Sequence, residues 1–172
     1  AAAAYGTKKI KPVDLIVGAG NQFVTAAKKY VYGDVGIDGI AGPSELTIIS
    51  DKTSNPEWIA SDLIGQAEHS EMSQCILISK DKNLINKVMD EISKQLKKIP
   101  RSSIVRKSLN KYGIVMHVTS DKKISEILNK IGPEHLQLMQ KNYRSFISKI
   151  KNAGSVCIGK YALMSITDYG TP

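Results

Sequence analysis

Apolar residues fall along the chain in two patterns. Short blocks rich in Val, Ile and Leu, at 13–17, 35–40, 46–50, 75–79, 114–118 and 156–158, predict strands, and 13–17 reads as a buried one. Between them apolar residues recur at helical spacing. Trp58, Ile59, Leu63 and Ala67 mark a helix over 55–69, and Ile85, Met89, Ile92 and Leu96 mark one over 83–98 that Pro100 ends. Ile124, Ile127, Leu128 and Ile131 share one face of a further helix. Residues 22–30 and 143–151 read as helices too, the last closed by Asn152-Ala153-Gly154.

The punctuation agrees with this order. Gly18-Ala19-Gly20-Asn21 lies between strand 13–17 and helix 22–30, a βα turn whose helix N-terminus suits an anion. Asn55-Pro56-Glu57 supplies an N-cap, a first-turn proline and a first-turn acid. Strands alternating with helices imply an α/β fold with a largely parallel sheet. The periodicity says nothing of strand order.

Composition narrows the class. The 172 residues are 42% hydrophobic and 23% charged, which is globular rather than disordered. Two cysteines, Cys75 and Cys157, are too few for a disulfide scaffold, so a reducing, cytoplasmic setting is expected. No apolar run approaches the roughly 18 residues of a membrane helix, and no signal-peptide layout opens the chain. The net charge is +8, with many of the cations between Lys80 and Lys111. Within 83–98 they interleave with apolar residues at helical spacing, and no aromatic residues sit among them to stack bases. A solvated basic face is the expectation, with no nucleic-acid partner and no membrane partner.

Candidate chemistry is sparse when each residue is taken alone. Gln66 and His69 stand three apart on helix 55–69, about 5 Å along the axis, where an amide oxygen and an imidazole could share a metal. Spacing of that kind usually meets only solvent. Glu68-His69 and Glu134-His135 are adjacent pairs, which on a helix do not share a face. His117 sits within a strand and reads as structural. Gly18-Ala19-Gly20 lacks the third glycine of the dinucleotide fingerprint, and Ser44 lacks a nucleophile-elbow context.

Taken in order, these blocks are specific. Val13-Asp14-x-Ile16-Val17-Gly18-Ala19-Gly20-Asn21, Ile37-Asp38-x-x-Ala41-Gly42-Pro43-Ser44-Glu45, Asp62-Leu63-x-x-Gln66-Ala67-Glu68-His69, Pro133-Glu134-His135-Leu136 and Asp168-Tyr169 closely resemble histidinol dehydrogenase. The resemblance runs in register from about Tyr5 to the last residue. It implies zinc-dependent, NAD-linked oxidation of L-histidinol via L-histidinaldehyde to L-histidine, in a cytoplasmic homodimer whose active site the partner chain completes. By it, Gln66, His69 and Asp168 match zinc ligands and substrate contacts. Ser44 and His135 match substrate-binding residues, Asn21 matches an NAD contact, and Glu134 and His135 match the acid–base pair.

The resemblance also implies two incomplete Rossmann-like units in a two-lobed enzyme. Residues 1–43 would be the second part of the NAD-side domain, and 44–172 the second part of the domain with zinc ligands and bases. Family members are longer, and their fourth zinc ligand, a histidine, lies beyond Pro172. The chain is therefore expected to be a fragment that is inactive alone. Two departures stand out: Ala19 replaces a more usual proline, and 162–167 is an atypical version of its block. A non-catalytic scaffold or interaction module is the alternative reading, with a basic nucleic-acid-binding domain a distant second.

Overall fold

The structure, a computed structural model, describes residues 1–18, 20–40, 42 and 44–161. Its contacts divide the chain into two units, Ala1–Gly42 and Pro43–Pro172.

The first unit holds α1 (Ala2–Tyr5), β1 (Leu15–Ile16), α2 (Gln22–Val31) and β2 (Gly36–Ile37). β1 and β2 pair in parallel, so the glycine turn and α2 form the connection of a βα unit. Block 13–17 is not buried as expected: Val13, Leu15 and Val17 are all exposed. β1 pairs only with β2 in a two-stranded sheet, which leaves those side chains uncovered within the unit.

The second unit carries β3 (Glu45–Ser50), α3 (Pro56–His69), β4 (Gln74–Ser79), α4 (Lys82–Gln95), α5 (Ser102–Tyr112), β5 (Ile114–His117), α6 (Asp121–Ile131), β6 (His135–Leu138), α7 (Arg144–Ile147) and β7 (Ser155–Ile158). The five strands form one parallel sheet in the order β5-β4-β3-β6-β7. Strands β3 and β4 are buried on both faces and largely apolar, as a sheet covered on both sides requires. Leu46, Ile48, Cys75 and Leu77 pack with Ile59 and Leu63 of α3, Val88 of α4 and Val105 of α5. Ile49, Ile76 and Ile78 point the other way, onto Ile124 and Leu128 of α6 and Phe146 of α7.

In the first unit the strand expected over 35–40 is only β2, and in the second unit three elements differ from expectation. The helix anticipated over 143–151 is only α7, because Lys149 N–H donates to Phe146 and Ile150 N–H to Ile147, three residues back. That is the tighter turn in which short helices end. Helix α5 and strand β6 were not anticipated. The basic side chains of 87–111 do lie at the surface, and several pair with acids: Lys94 with Glu91, Lys107 with Glu71, and Arg101 with Glu68.

Candidate functional site

The site is built from the N-terminal edge of the five-stranded sheet. Glu45 opens β3 and pairs with Gln74, which opens β4; Leu46 pairs with His135, which opens β6. Gln74 N–H also donates to the Ser44 carbonyl at 3.2 Å, which fixes Ser44 at that edge. α3 runs back toward the same edge and ends four residues before β4.

Alternation along β6 decides which side chains face α3. Leu136 and Leu138 belong to the core on the α6 side, so His135 and Gln137 point to the opposite, α3 side. Gln137 confirms it: its Nε2 donates to Asp62 Oδ2 on α3 at 2.8 Å. Asp62, Gln66 and His69 stand at i, i+4 and i+7, one stripe of α3. From Asp62 to Gln66 the helix rises about 6 Å. From Gln137 back to His135 the strand covers about 7 Å. The Gln66–His69 end of the stripe and the His135 end of the strand therefore approach the same edge.

Glu134 and His135 are held by one backbone residue. The Glu134 Oε2 atom accepts from Glu45 N–H at 3.0 Å. His135 Nδ1 lies 3.2 Å from the Glu45 carbonyl oxygen, and Glu134 Oε2 lies 3.9 Å from the same ring nitrogen. With Nδ1 carrying the hydrogen, Nε2 keeps its lone pair. Glu134 is exposed and His135 partly buried, a carboxylate at the rim and an imidazole just inside it. Gly154 and Ser155 support the segment from behind, donating to the carbonyls of Pro133 and Glu134 at 3.0 and 2.8 Å.

The metal-side residues fit a cation in part. His69 Nδ1 is engaged by its own helix at the Gly65 carbonyl, 3.1 Å away, which leaves Nε2 for an outside partner. Gln66 is only 8% exposed, and its Nε2 has no partner among the described residues. That nitrogen is a donor and would not meet a cation; it is the amide oxygen, together with an imidazole nitrogen, that makes a donor set of the kind zinc takes. Asp168, the third expected ligand, lies outside the described residues. No cluster of three His, Cys, Asp or Glu side chains is found among the described residues.

Charge around the stripe is tuned by burial. Desolvation pushes the Asp62 carboxyl up, and the Gln137 amide only partly opposes it. Cys157 pairs with Gln137 across β6 and β7; burial, and then the Asp62 charge, push its thiol up. Burial pushes Cys75 up to about 12. Both thiols stay protonated at neutral pH, which disfavours either as nucleophile or metal ligand. His117 is exposed at the end of β5, its Nε2 3.3 Å from the Lys80 carbonyl. Asp62, Gln137 and Cys157 escaped the sequence reading of the site; the polar residue at every second position of 135–138 was the signal available.

Asn21 lies in the first unit and caps α2: its Oδ1 accepts from Phe23 N–H at 3.0 Å and Val24 N–H at 3.2 Å. The glycines before it are both required. Gly18 has φ +127°, and a Cβ on Gly20 would fall 2.5 Å from Val24 Cβ.

The family model described as histidinol dehydrogenase matches residues 1–171. A histidinol dehydrogenase of Pelagibacter ubique is 65% identical over 170 residues, which is 98% of this chain and 40% of that protein. The crystal structure of histidinol dehydrogenase from Elizabethkingia anophelis superposes with TM-score 0.89 at 40% identity, covering 98% of this chain and 39% of that one. A γ-glutamyl phosphate reductase structure from Thermotoga maritima shares the fold at TM-score 0.56 and 15% identity, over 90% of this chain and 42% of that one. The chain thus spans about 40% of the length of the histidinol dehydrogenases it matches.

Proposed function

Because the chain belongs to the histidinol dehydrogenase family, we propose that the full-length protein oxidises L-histidinol through L-histidinaldehyde to L-histidine. NAD is the hydride acceptor, and the protein works as a cytoplasmic homodimer. The observation that carries this reading onto the chain's own residues is the shared anchor on Glu45, which holds Glu134 and His135 side by side at one sheet edge.

The balance sets what the residues must do. One alcohol, two NAD⁺ and one water give one carboxylate, two NADH and three protons. NAD, when bound, accepts each hydride. His135 Nε2 takes the hydroxyl proton as hydride leaves the carbinol carbon, a task suited to an imidazole at neutral pH. Glu134 Oε2 is occupied by Glu45 N–H, so Oε1 is the oxygen that takes a proton from the water adding to the aldehyde. The resulting hydrate returns a hydroxyl to His135 for the second hydride loss.

Zinc, when bound, is a template that anchors the substrate's imidazole and amine. Gln66 Oε1 and His69 Nε2 hold it from α3, with Asp168 as a further ligand. Ser44 binds substrate beside the bases. Asn21 meets NAD through Nδ2, since its Oδ1 is spent on the helix cap. Residues 1–43 belong to the NAD-side domain and 44–172 to the domain with the bases. The 172 residues by themselves are expected to be nearly inactive.

The test is L-histidinol-dependent NADH formation by the full-length protein. Glu134→Gln keeps an acceptor for Glu45 N–H and should fold, yet slow oxidation of supplied L-histidinaldehyde about 10²–10⁴-fold. No NADH from the wild type would overturn the reading.

A further inference from the structure

The first unit contains an ion pair, its lysine buried and its aspartate exposed, that no catalytic role accounts for. Lys28, on α2, is 7% exposed, although a lysine on a short amphipathic helix ordinarily carries its ammonium to water. Its Nζ instead donates to Asp38 Oδ1 at 2.5 Å and to the carbonyl of Gly18. Asp38 Oδ2 accepts from Gly18 N–H at 2.8 Å, and its Oδ1 accepts from Gly39 N–H at 2.8 Å. Both backbone polar groups of Gly18 are thus tied to the two halves of one ion pair.

We propose that Lys28 and Asp38 are positioning residues that clamp the Gly18–Asn21 turn for dinucleotide binding. The inference rests on the reading of Asn21 as a dinucleotide contact. Gly18 holds a positive φ, a conformation the chain leaves readily unless its neighbours fix it. Two residues on, Gly20 packs directly against Val24, so movement at Gly18 passes into the first turn of α2. Asn21 caps that turn through its Oδ1, and the direction of its Nδ2 follows the turn's path.

With the Asp38 side chain 36% exposed, the pair contributes little to stability as such. What the charges add is direction: the ammonium requires a carbonyl and the carboxylate an N–H, so only one orientation of the Gly18 peptide groups satisfies both. Lys28 is neutralised by Asp38 and already donates twice, so it supports the turn instead of offering itself to a phosphate. Removing the clamp should loosen dinucleotide binding without touching the bases, which belong to the other unit.

The experiment uses full-length enzyme with Lys28→Met, Asp38→Asn, the double variant and Lys28→Arg. NADH dissociation constants are measured by fluorescence, alongside kcat and both KM values. Each single variant should raise the NADH dissociation constant and the KM for NAD⁺ about tenfold, with kcat and the KM for histidinol within about twofold. The double variant should match a single one, because the two residues act as one unit. Lys28→Arg should recover most of the affinity. If a single variant does not fold, the double variant, which leaves no unpaired buried charge, carries the test. An unchanged NADH dissociation constant would overturn the clamp, as would a loss shared equally by kcat and both KM values. A wild type that binds no NADH would instead overturn the dinucleotide reading beneath it.

Discussion

His135 Nδ1 lies 3.2 Å from the carbonyl oxygen of Glu45, so the ring's one neutral-state hydrogen is directed into the sheet and its lone pair away from it. Main-chain anchoring of this kind sets the tautomer of a base before substrate arrives. His135→Asn removes the basic nitrogen at similar polarity. It should lower kcat for histidinol oxidation about 10²–10⁴-fold while the KM for histidinol changes only severalfold. Steady-state kinetics check it, and an unchanged kcat would remove His135 from the chemistry.

Gly154 is predicted to matter through Glu134. A Cβ there would fall 2.6 Å from the Glu134 carbonyl oxygen, a backbone atom that accepts from Ser155 N–H and has little room to retreat. Gly154→Ala should shift the Pro133–Glu134–His135 segment and lower kcat about 10- to 100-fold. Zinc content and NADH affinity should stay unchanged, which separates displacement of the bases from general unfolding.

Asp62 gives a pH signature. Its folded-state pKa is raised by desolvation, so the native protein holds that proton more tightly than the unfolded chain does. Stability from this group is fully present below the unfolded carboxyl's pKa and declines as pH rises through the folded one. Asp62→Asn removes the penalty. The Gln137 amide can turn its Oε1, unpartnered among the described residues, toward the new amide donor. Thermal unfolding of full-length protein at several pH values should show the variant gaining on the wild type as pH rises. A constant difference across that range would contradict the assignment.

Asp38 behaves in the opposite sense. The Lys28 ammonium, then the Gly18 N–H, hold its carboxyl down to about 2. Its contribution is present above the usual carboxylate range and is lost only as pH falls through about 2. Carboxyl carbon NMR of the labelled protein should find Asp38 ionised at pH 3, where an ordinary aspartate is mostly protonated.

Much of this arrangement was legible in the chain. Asn55 and Pro56 announced the start of α3, and the apolar runs at 46–50 and 75–79 announced β3 and β4 as strands of a largely parallel sheet. Strand β6 was hidden because His135 and Gln137 interrupt its apolar residues, and only Asp62 on α3 explains why a polar face is buried there. Helix α5 was hidden because Val105 is its one fully buried apolar residue and Ser108 its buried partner, donating to the Ser73 carbonyl at 2.8 Å. The site edge needed strand order, which periodicity does not carry. Nothing in the periodicity marks Lys28, because its burial depends on Asp38, ten residues on.

The metal side has its own outcome. Chelation of the full-length enzyme should abolish activity, and added zinc should restore it. His69→Ala should weaken zinc binding by more than about 100-fold, with the helix intact because His69 is exposed in its last turn. Metal analysis after dialysis reads it directly.

The central claim is that one histidine–glutamate edge serves two successive oxidations. The most direct measurement is the number of NADH formed per L-histidinol consumed by the full-length enzyme, with the product identified. Two NADH with L-histidine as the product is the predicted result. One NADH with L-histidinaldehyde accumulating would contradict it.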